Sequence, residues 1–410
     1  MERPSMHCAT DVETFERQTE KARWNGLIDA SGVPSIHLSW DAVCAALAST
    51  RFVRAAWWLD GEGVLVGLAI CEDSEAISQG IDDFLEGTAL FGWAKSFLHR
   101  QGGFRFGVRV IGTPLASGPH GYRFVEGLDA LALLEPLFDM PGADGGTPPK
   151  TRVIKDRVSV QGWADGVRLS GQSSWKAGWV DLEFDPVMRV NLEGKPSWDA
   201  YLSAMRTKAR TKVKRILSLS SSLDIVALDQ VGIESQAAKL HELYMLVYGR
   251  AAFRLGCLTP DDLIQLKRHM CDRFQVWECR LDGALVGFFC GMCDGHEVEA
   301  FFVGFKPEYN KTHALYQRML LEFVQWGIRE GCSVVHLGRT ALDIKASLGA
   351  EPTRLVIHQR SASPVWRRLA RWAARASAPK QEALKRAWKE EASVLVSDKS
   401  ASVHHEVVSP

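Results

Sequence analysis

The 410-residue sequence lacks an excess of charge of either sign, because 49 lysines and arginines balance 49 aspartates and glutamates. Net charge therefore points to no particular partner. The sequence also lacks any apolar run near the ~20 residues of a membrane span, and no apolar segment follows its first residues. We therefore expect no signal peptide, no transmembrane segment and a cytoplasmic location.

Cysteine is scarce and unevenly placed, with nine residues that follow no regular spacing. An odd, scattered set without a leader peptide predicts reduced, mostly buried thiols rather than a disulfide framework. Cys290 and Cys293 form one CxxC pair, but residues three apart on a strand face opposite sides of it. No second pair completes a zinc site, and neither a P-loop nor a GxSxG elbow is present. We therefore expect no metal site.

What the sequence does contain is a weakly repeated α/β pattern. Asp-Gly dipeptides at 60–61 and 282–283 each join two β-rich apolar runs, which is a strong hairpin signal. Each hairpin is followed by a strand, a loop with proline and histidine, and a helix. His120 and Tyr122 in the first half correspond in place to His313 and Tyr316 in the second. The shared order of elements predicts a duplicated fold of the α/β class.

The most informative segment passes from an apolar strand through a polar loop into an amphipathic helix, over residues 301–321. Its pattern predicts a helix that begins near Thr312 and continues to about residue 330. A helix that begins beside a strand directs its free N–H groups and its positive dipole end toward the adjacent crevice. Such an end suits a phosphate, a carboxylate or a developing oxyanion. A second strand at 333–337 leads into a short helix that carries Lys345, so the two segments together predict a transferase site.

This strand-loop-helix segment resembles the central motif of the GNAT acyltransferase fold. The run Leu337-Gly-Arg-Thr-Ala-Leu-Asp-Ile-Lys-Ala-Ser-Leu-Gly-Ala-Glu-Pro352 resembles more specifically the FemAB-type and CelD-like branch of that superfamily. A basic helix at 201–215 is similar to the first helix of the same domain. The resemblance extends roughly over residues 197–360. It implies two tandem GNAT-like lobes with mixed sheets, followed by a C-terminal helical extension.

The resemblance implies acyl transfer to an amine or hydroxyl of a cell-envelope or polysaccharide precursor, with acyl-CoA, in particular acetyl-CoA, as the donor. The loop departs from the usual acetyl-CoA motif, since His313 and Leu315 stand where glycines would let the backbone approach a pyrophosphate. FemAB-type proteins also lack those glycines and take aminoacyl groups from tRNA. An aminoacyl-tRNA-dependent, peptide-bond-forming transferase is therefore one alternative. A non-catalytic module that binds a sugar or a peptide is another.

Three residues are candidates for acid–base chemistry. His313 is the titratable group at the predicted helix start, and Tyr316, one turn further on, can return a proton to the leaving group. Glu299 lies on the preceding strand, where GNAT-like enzymes often carry a carboxylate base. Structural roles account for the same residues, with His313 as a helix cap, Tyr316 in packing and Glu299 in an ion pair.

Donor-binding candidates surround the same helix start. They are Asn310, Lys311, Thr312 and Ala314 in the loop, with Arg210 and Lys214 on the basic helix. Closely spaced cations repel one another, so a bound phosphate of CoA or tRNA would relieve them. A solvated face opposite the apolar stripe explains the same charges.

Substrate-binding candidates lie in two places. Arg339 and Lys345 can hold a carboxylate or phosphate of the acceptor, while His120 and Tyr122 occupy the corresponding loop of the first half. Between the two cations, Thr340 and Asp343 have the spacing of a capping box.

The resemblance and the duplicated pattern imply two lobes, and composition adds two C-terminal parts. Residues 1–190 form an N-terminal GNAT-like lobe and residues 191–362 a C-terminal GNAT-like acyltransferase lobe. Residues 363–392 form a basic amphipathic helical extension, and residues 393–410 a disordered tail. The Arg- and Trp-rich helix at 364–378 either packs on its own domain or makes peripheral contact with a membrane.

Overall fold

The computed structural model describes residues 3–78, 104–143, 145–158, 179–183, 185–251, 253–361, 384 and 386–389. The predicted helical extension at 363–392, including the helix at 364–378, lies outside the described residues except for 384 and 386–389. The predicted tail at 393–410 lies outside them entirely. Within the described ranges, no helix combines the length and the apolar character needed to cross a bilayer.

The described chain forms two mixed β-sheets with helices packed on their faces. The strands, in chain order, are β1 (Ser5–Ala9), β2 (Phe52–Leu59), β3 (Leu65–Ser78), β4 (Phe104–Ile111), β5 (Tyr122–Phe124), β6 (Thr151–Val158), β7 (Trp179–Glu183), β8 (Val187–Asn191), β9 (Leu223–Leu228), β10 (Phe253–Leu255), β11 (Phe274–Leu281), β12 (Ala284–Cys293), β13 (Glu297–Phe305), β14 (Val334–His336), β15 (Ala350–Thr353) and β16 (Leu355–Ser361).

The first sheet has the order β1-β2-β3-β4-β6-β16-β7, and β5 and β10 also pair with β3. The second sheet has the order β15-β8-β14-β13-β12-β11-β9. Among the described strands one pair in each sheet is parallel, β4 with β6 and β13 with β14. The other pairs are antiparallel. Two mixed sheets with helices confirm the predicted α/β class.

The helices are α1 (Val12–Gln18), α2 (Lys21–Ala30), α3 (Trp40–Ala48), α4 (Ala130–Asp139), α5 (Trp198–Ala204), α6 (Thr207–Leu219), α7 (Gln230–Tyr248), α8 (Pro260–Met270), α9 (Glu308–His313), α10 (Leu315–Arg329) and α11 (Leu342–Ala346). We call the first sheet with α1–α4 the first lobe, and the second sheet with α5–α11 the second lobe. Side chains of α5, α6 and α10 share one hydrophobic core with the second sheet. Side chains of α7 and α8 form another core with that sheet, which also includes Ala42 and Ala45 of α3. Apolar packing therefore joins the two lobes.

Both predicted hairpins form. Asp282 and Gly283 link β11 to β12 with φ of 49° and 77°, the positive values that a two-residue type I′ turn requires. The first hairpin has a longer loop, in which the Asp60 carboxylate accepts the N–H groups of Glu62 and Val64 at 3.0 and 2.9 Å. Local turn chemistry thus determines these two connections.

The two sheets do not divide the chain at one position. The predicted boundary between residues 190 and 191 falls inside β8, which pairs with β14 and β15 of the second sheet. Conversely β16, placed by sequence in the second lobe, lies between β6 and β7 of the first sheet. The short strand β10 also leaves the second lobe's sequence to pair with the end of β3. Each lobe therefore contains strands from the other's stretch of sequence.

The basic helix, predicted as one unit over residues 201–215, is divided between α5 and α6. Met205 and Arg206 between them are extended, with ψ near 148°. Residues near the C-terminus lie against the break, because the Arg206 N–H donates to the Ala387 carbonyl at 2.8 Å and the Lys389 N–H to the Ala204 carbonyl at 3.1 Å. A tertiary contact thus overrides the helical periodicity.

Candidate active site

The central feature of the second lobe is the point at which β13 and β14 part. Their parallel pairing covers three residues of each strand and ends at Glu299 and His336. The chain after β14 stays with β8, since the Leu337 N–H donates to the Met188 carbonyl at 2.8 Å. β13 meanwhile continues to Phe305. The two strands therefore diverge beyond this point, and we call the wedge between them along the edge of β13 the crevice and its closed end at Glu299 and His336 the vertex.

Two histidines of the first lobe meet Glu299 at the vertex. His37, in a 3₁₀ turn before α3, places Nε2 2.8 Å from Oε2 of Glu299. His120 places Nε2 3.6 Å from the same oxygen, and its Nδ1 lies 2.8 Å from Oγ of Ser35. His37, His120 and Glu299 are each at most 8% exposed. We call these three residues the vertex cluster.

Hydrogen bonds from Lys155 and the small size of Gly118 fix the loop that carries His120. The Lys155 ammonium donates to the carbonyls of Thr113 and Pro114 at 3.1 and 3.0 Å and also to that of Ala116. Burial lowers the pKa of Lys155 to about 8. A glycine is required at 118, with φ of 146°, because a Cβ there would lie 2.4 Å from Nε2 of His120. The loop is thus built to position this imidazole.

Burial and neighbouring charges set the protonation of the vertex. Burial, followed by repulsion from His37 and Arg123, holds the pKa of His120 well below its ordinary value, so the ring is neutral at pH 7. Beside it, Nε2 of His336 lies 2.7 Å from Oε2 of Glu297. Burial raises the pKa of Glu297, but the hydrogen bond and charge of His336 outweigh burial and leave that pKa lowered.

The other two predicted catalytic residues lie at the far end of β13. Phe305 is six positions after Glu299 on this strand, which at ~3.3 Å per residue is about 20 Å. The Tyr316 ring stacks near Phe305, with centroids 5.8 Å apart, and burial raises the pKa of Tyr316 to about 12. His313 ends α9, and its Nδ1 lies 2.8 Å from Oγ1 of Thr312. The structure therefore brings Glu299 together with His37 and His120, and not with His313 or Tyr316.

The helix start itself differs from the prediction. The expected polar loop forms the short helix α9, and α10 begins at Leu315 because Ala314 is left-handed, with φ of 48°. The Asn310 side chain accepts the Tyr316 N–H at 3.0 Å, so this predicted donor-binding residue caps the helix. Lys311 is exposed beside Thr312 on α9.

Helix α6 brings positive charge to this region by packing against α9 and α10. Arg210 is half-buried on α6 and Lys214 is exposed. The Arg318 guanidinium of α10 donates to the carbonyl and hydroxyl of Ser220 at 3.3 and 3.2 Å, which fixes α10 to the end of α6. The far end of the crevice thus combines a helix N-terminus with a cationic helix.

The predicted acceptor-binding cations are engaged within the protein. Arg339 forms an ion pair with the fully buried carboxylate of Asp156 and donates to the Asp185 carbonyl at 2.7 Å. The Lys345 ammonium donates to the carbonyls of Gly338, at 3.2 Å, and Arg339. Burial lowers the pKa of Lys345 to about 7. Arg339 therefore links the lobes, and Lys345 supports the turn before α11.

Two further sequence predictions concern Thr340 with Asp343 and Tyr122. The capping box of Thr340 and Asp343 does not form, because the N-cap of α11 is Ala341, and the structure has no side-chain cap there. Tyr122 lies in the core of the first lobe, where its ring packs 5.9 Å from that of Phe124. Tyr122 therefore packs in the core of the first lobe, whereas His120 belongs to the vertex cluster.

Sequence reasoning missed His37 and Ser35. Their neighbours Val33, Ile36 and Leu38 are buried and apolar. A histidine inside such an apolar run could have indicated a buried polar site, since buried polar groups need hydrogen-bond partners.

Residues 203–346 match the family model described as the acetyltransferase (GNAT) domain. The second lobe belongs to the GNAT acyltransferase family. This match covers the vertex residue Glu299, α6, α9, α10 and α11.

Solved structures similar to this chain cover most of it at low identity. FemX has a TM-score of 0.50 at 11% identity, over 86% of this chain and 98% of that one. A tandem GNAT protein from the clavulanic acid biosynthesis pathway has 0.49 at 13% identity, over 88% and 99%. L-PGS from Bacillus licheniformis has 0.43 at 11% identity, over 88% and 97%. At this identity, the similarity to FemX is one of fold. No curated protein matches the sequence.

Proposed function

We propose that the protein transfers an acyl group to an amine or hydroxyl acceptor in the crevice along β13. The observation that carries this proposal is the parting of β13 and β14 at a vertex that holds Glu299. Beyond His336 no described strand pairs with that edge of β13. An extended donor can therefore lie against the free edge between the vertex and the start of α10.

The two ends of the crevice suit the two ends of such a donor. The N-terminus of α10 and the cations of α6, among them Arg210 and Lys214, attract phosphate groups. We propose Lys311, Thr312 and His313 as contacts of this anionic end, and Tyr316 as a contact of the donor arm. The acyl carbon then lies about 20 Å away at the vertex, the span of strand from Phe305 to Glu299. Acyl-CoA is the donor we propose.

The acceptor must lose a proton as the new bond forms. Glu299 is the carboxylate at the vertex, so we assign it the task of receiving that proton, directly or through the groups bonded to it. The proton then passes to the leaving group of the donor. The likeness of residues 337–352 to the FemAB-type and CelD-like branch supports a cell-envelope or polysaccharide precursor as acceptor, acted on in the cytoplasm.

The test pairs donor binding with turnover. Titration of the full chain with acetyl-CoA in a calorimeter should give saturable binding. Glu299→Gln should bind the donor as wild type does but lose 10²–10⁴-fold in acyl transfer. Glu297→Gln, two residues earlier on the same strand, is the matched control and should keep activity. Thiol release from acetyl-CoA with a panel of amine and sugar acceptors measures turnover.

Other outcomes would redirect the assignment. Absence of CoA binding combined with tight binding of aminoacyl-tRNA would replace the donor and keep acyl transfer. Binding of neither, with a sugar or peptide bound instead, would make the protein a recognition module and end the proposal.

A further inference from the structure

We propose that the vertex cluster binds one divalent transition-metal ion of the zinc type. Nε2 of His37, Nε2 of His120 and a carboxylate oxygen of Glu299 lie within 4.8 Å of one another. Two imidazoles and a carboxylate are a ligand set that zinc uses in open sites, where a fourth position remains for water or substrate. The binding itself does not depend on acyl transfer.

The distances suit an ion better than a hydrogen-bonded cluster. Both imidazoles approach the same Oε2 of Glu299, at 2.8 and 3.6 Å. The shorter contact is a hydrogen bond, but the longer one exceeds hydrogen-bonding distance, so His120 Nε2 points at an oxygen it does not reach. Two ligands of a tetrahedral zinc with bonds near 2.1 Å are ~3.4 Å apart, between these two values. Since the three ligand atoms lie within 4.8 Å of one another, binding of one ion by all three would require only small side-chain shifts.

The surroundings provide the second layer that metal sites require. A metal-bound histidine usually has its other ring nitrogen hydrogen-bonded, which fixes the ring and the tautomer. Nδ1 of His120 has such a partner in Ser35 Oγ at 2.8 Å, and Ser35 is 5% exposed. Gly118 leaves the room that the His120 ring occupies. The ring is therefore held in place before any ion arrives.

Nearby cations repel positive charge at His120, but each of them is bonded to another group. Lys155 and Arg123 are the cations near His120, and both are turned toward backbone carbonyls. Arg339 is paired with Asp156, and His336 with Glu297. Among the three proposed ligands, the carboxylate of Glu299 supplies the negative charge. If acyl transfer is the function, an ion here would bind the acceptor and lower the pKa of its hydroxyl or amine.

Metal content of the full chain tests the site directly. Protein purified without a histidine tag or chelator should contain about one zinc, iron or cobalt ion per chain by plasma mass spectrometry. His37→Ala, His120→Ala and Glu299→Ala should each lower this content at least tenfold. His358→Ala removes a buried histidine of the first sheet that pairs with Asp181 at 2.6 Å, and this control should keep the ion.

A second measurement does not depend on whether the variants fold. Cobalt(II) added to metal-free wild type should saturate at one ion per chain and give the visible absorption bands of a tetrahedral site. Protein without metal that also shows no cobalt spectrum would overturn the proposal. Full acyl transfer by metal-free protein would support the proposed function and show that it does not need the ion. A bound ion without acyl transfer would support the metal site and contradict the proposed function.

Discussion

Arg339 of the second lobe forms an ion pair with Asp156 of the first, and the Asp156 carboxylate is completely buried. Removing one partner of a buried pair leaves an uncompensated charge. Arg339→Ala should therefore lower the free energy of unfolding by about 3–5 kcal/mol, measured by chemical denaturation.

The matched control for this ion pair is an exposed one. Arg268 lies 3.1 Å from Glu234, with side chains 54% and 42% exposed. Arg268→Ala should change the free energy of unfolding by less than about 1 kcal/mol. Equal effects of the two substitutions would show that the link between the lobes does not depend on Arg339.

Lys345 should make stability rise with pH. Burial lowers its pKa to about 7 in the folded chain, against an ordinary value of 10.5. Between these values the unfolded chain binds more protons, so the free energy of unfolding increases by up to ~1.4 kcal/mol per pH unit. Below pH 7 both states hold the proton and the cost of burying the charge is present in full.

The measurement compares wild type with Lys345→Met at pH 7, 8 and 9. The difference in unfolding free energy should shift in favour of wild type by about 2 kcal/mol over this range. Lys311→Met, at an exposed position, serves as the control and should give a constant difference. A flat difference for Lys345→Met would mean that the ammonium keeps an ordinary pKa.

Gly304 is required where β13 lies against α7. A Cβ there would lie 2.5 Å from the Tyr244 amide nitrogen and 2.6 Å from the Leu243 carbonyl carbon. Gly304→Ala should therefore destabilise the protein by about 1–3 kcal/mol through overpacking. Gly26, within α2, has no atom within 4 Å of its built Cβ, and Gly26→Ala should stabilise by about 0.5–1 kcal/mol. Thermal denaturation should show a lower melting temperature for Gly304→Ala and a higher one for Gly26→Ala.

Cys293 and Cys332 should form a disulfide under mild oxidation. Their sulfurs lie 3.5 Å apart, and the Cys332 thiol and the Gly295 N–H stabilise a Cys293 thiolate by lowering its pKa. Treatment with diamide should remove two free thiols per chain, visible by mass spectrometry. The bond should stabilise the fold by about 4 kcal/mol through loop closure. Cys293→Ser should prevent the reaction and Cys290→Ser should not. Loss of thiols in both variants would point to other cysteines.

The fold was predictable where the signal is local. The Asp-Gly turns and the strand before α10 follow from neighbouring residues, and so does the family resemblance. The break at Met205 was not predictable, because Ala387 and Lys389 approach it from the far end of the chain. The pattern of β16 predicts a strand but carries no information about which sheet receives it.

The candidate site divides in the same way. Glu299 was predicted from its place on a strand before the motif, and the structure places it at the vertex. Its neighbour His37 was not predicted, because 262 positions separate the two residues and no local sequence pattern relates them. His313 and Tyr316 were grouped with Glu299 because they are close in sequence, but an extended strand carries its two ends apart.

The exchange of strands between the sheets has a consequence for how this protein can be dissected. A fragment that stops at residue 190 would keep most of β8 without β14 and β15, and would leave a gap between β6 and β7 where β16 belongs. The remaining fragment would carry β16 without its partners β6 and β7, and would lack most of β8, which joins β15 to β14. We therefore expect each piece to expose unpaired strand edges and neither to fold on its own.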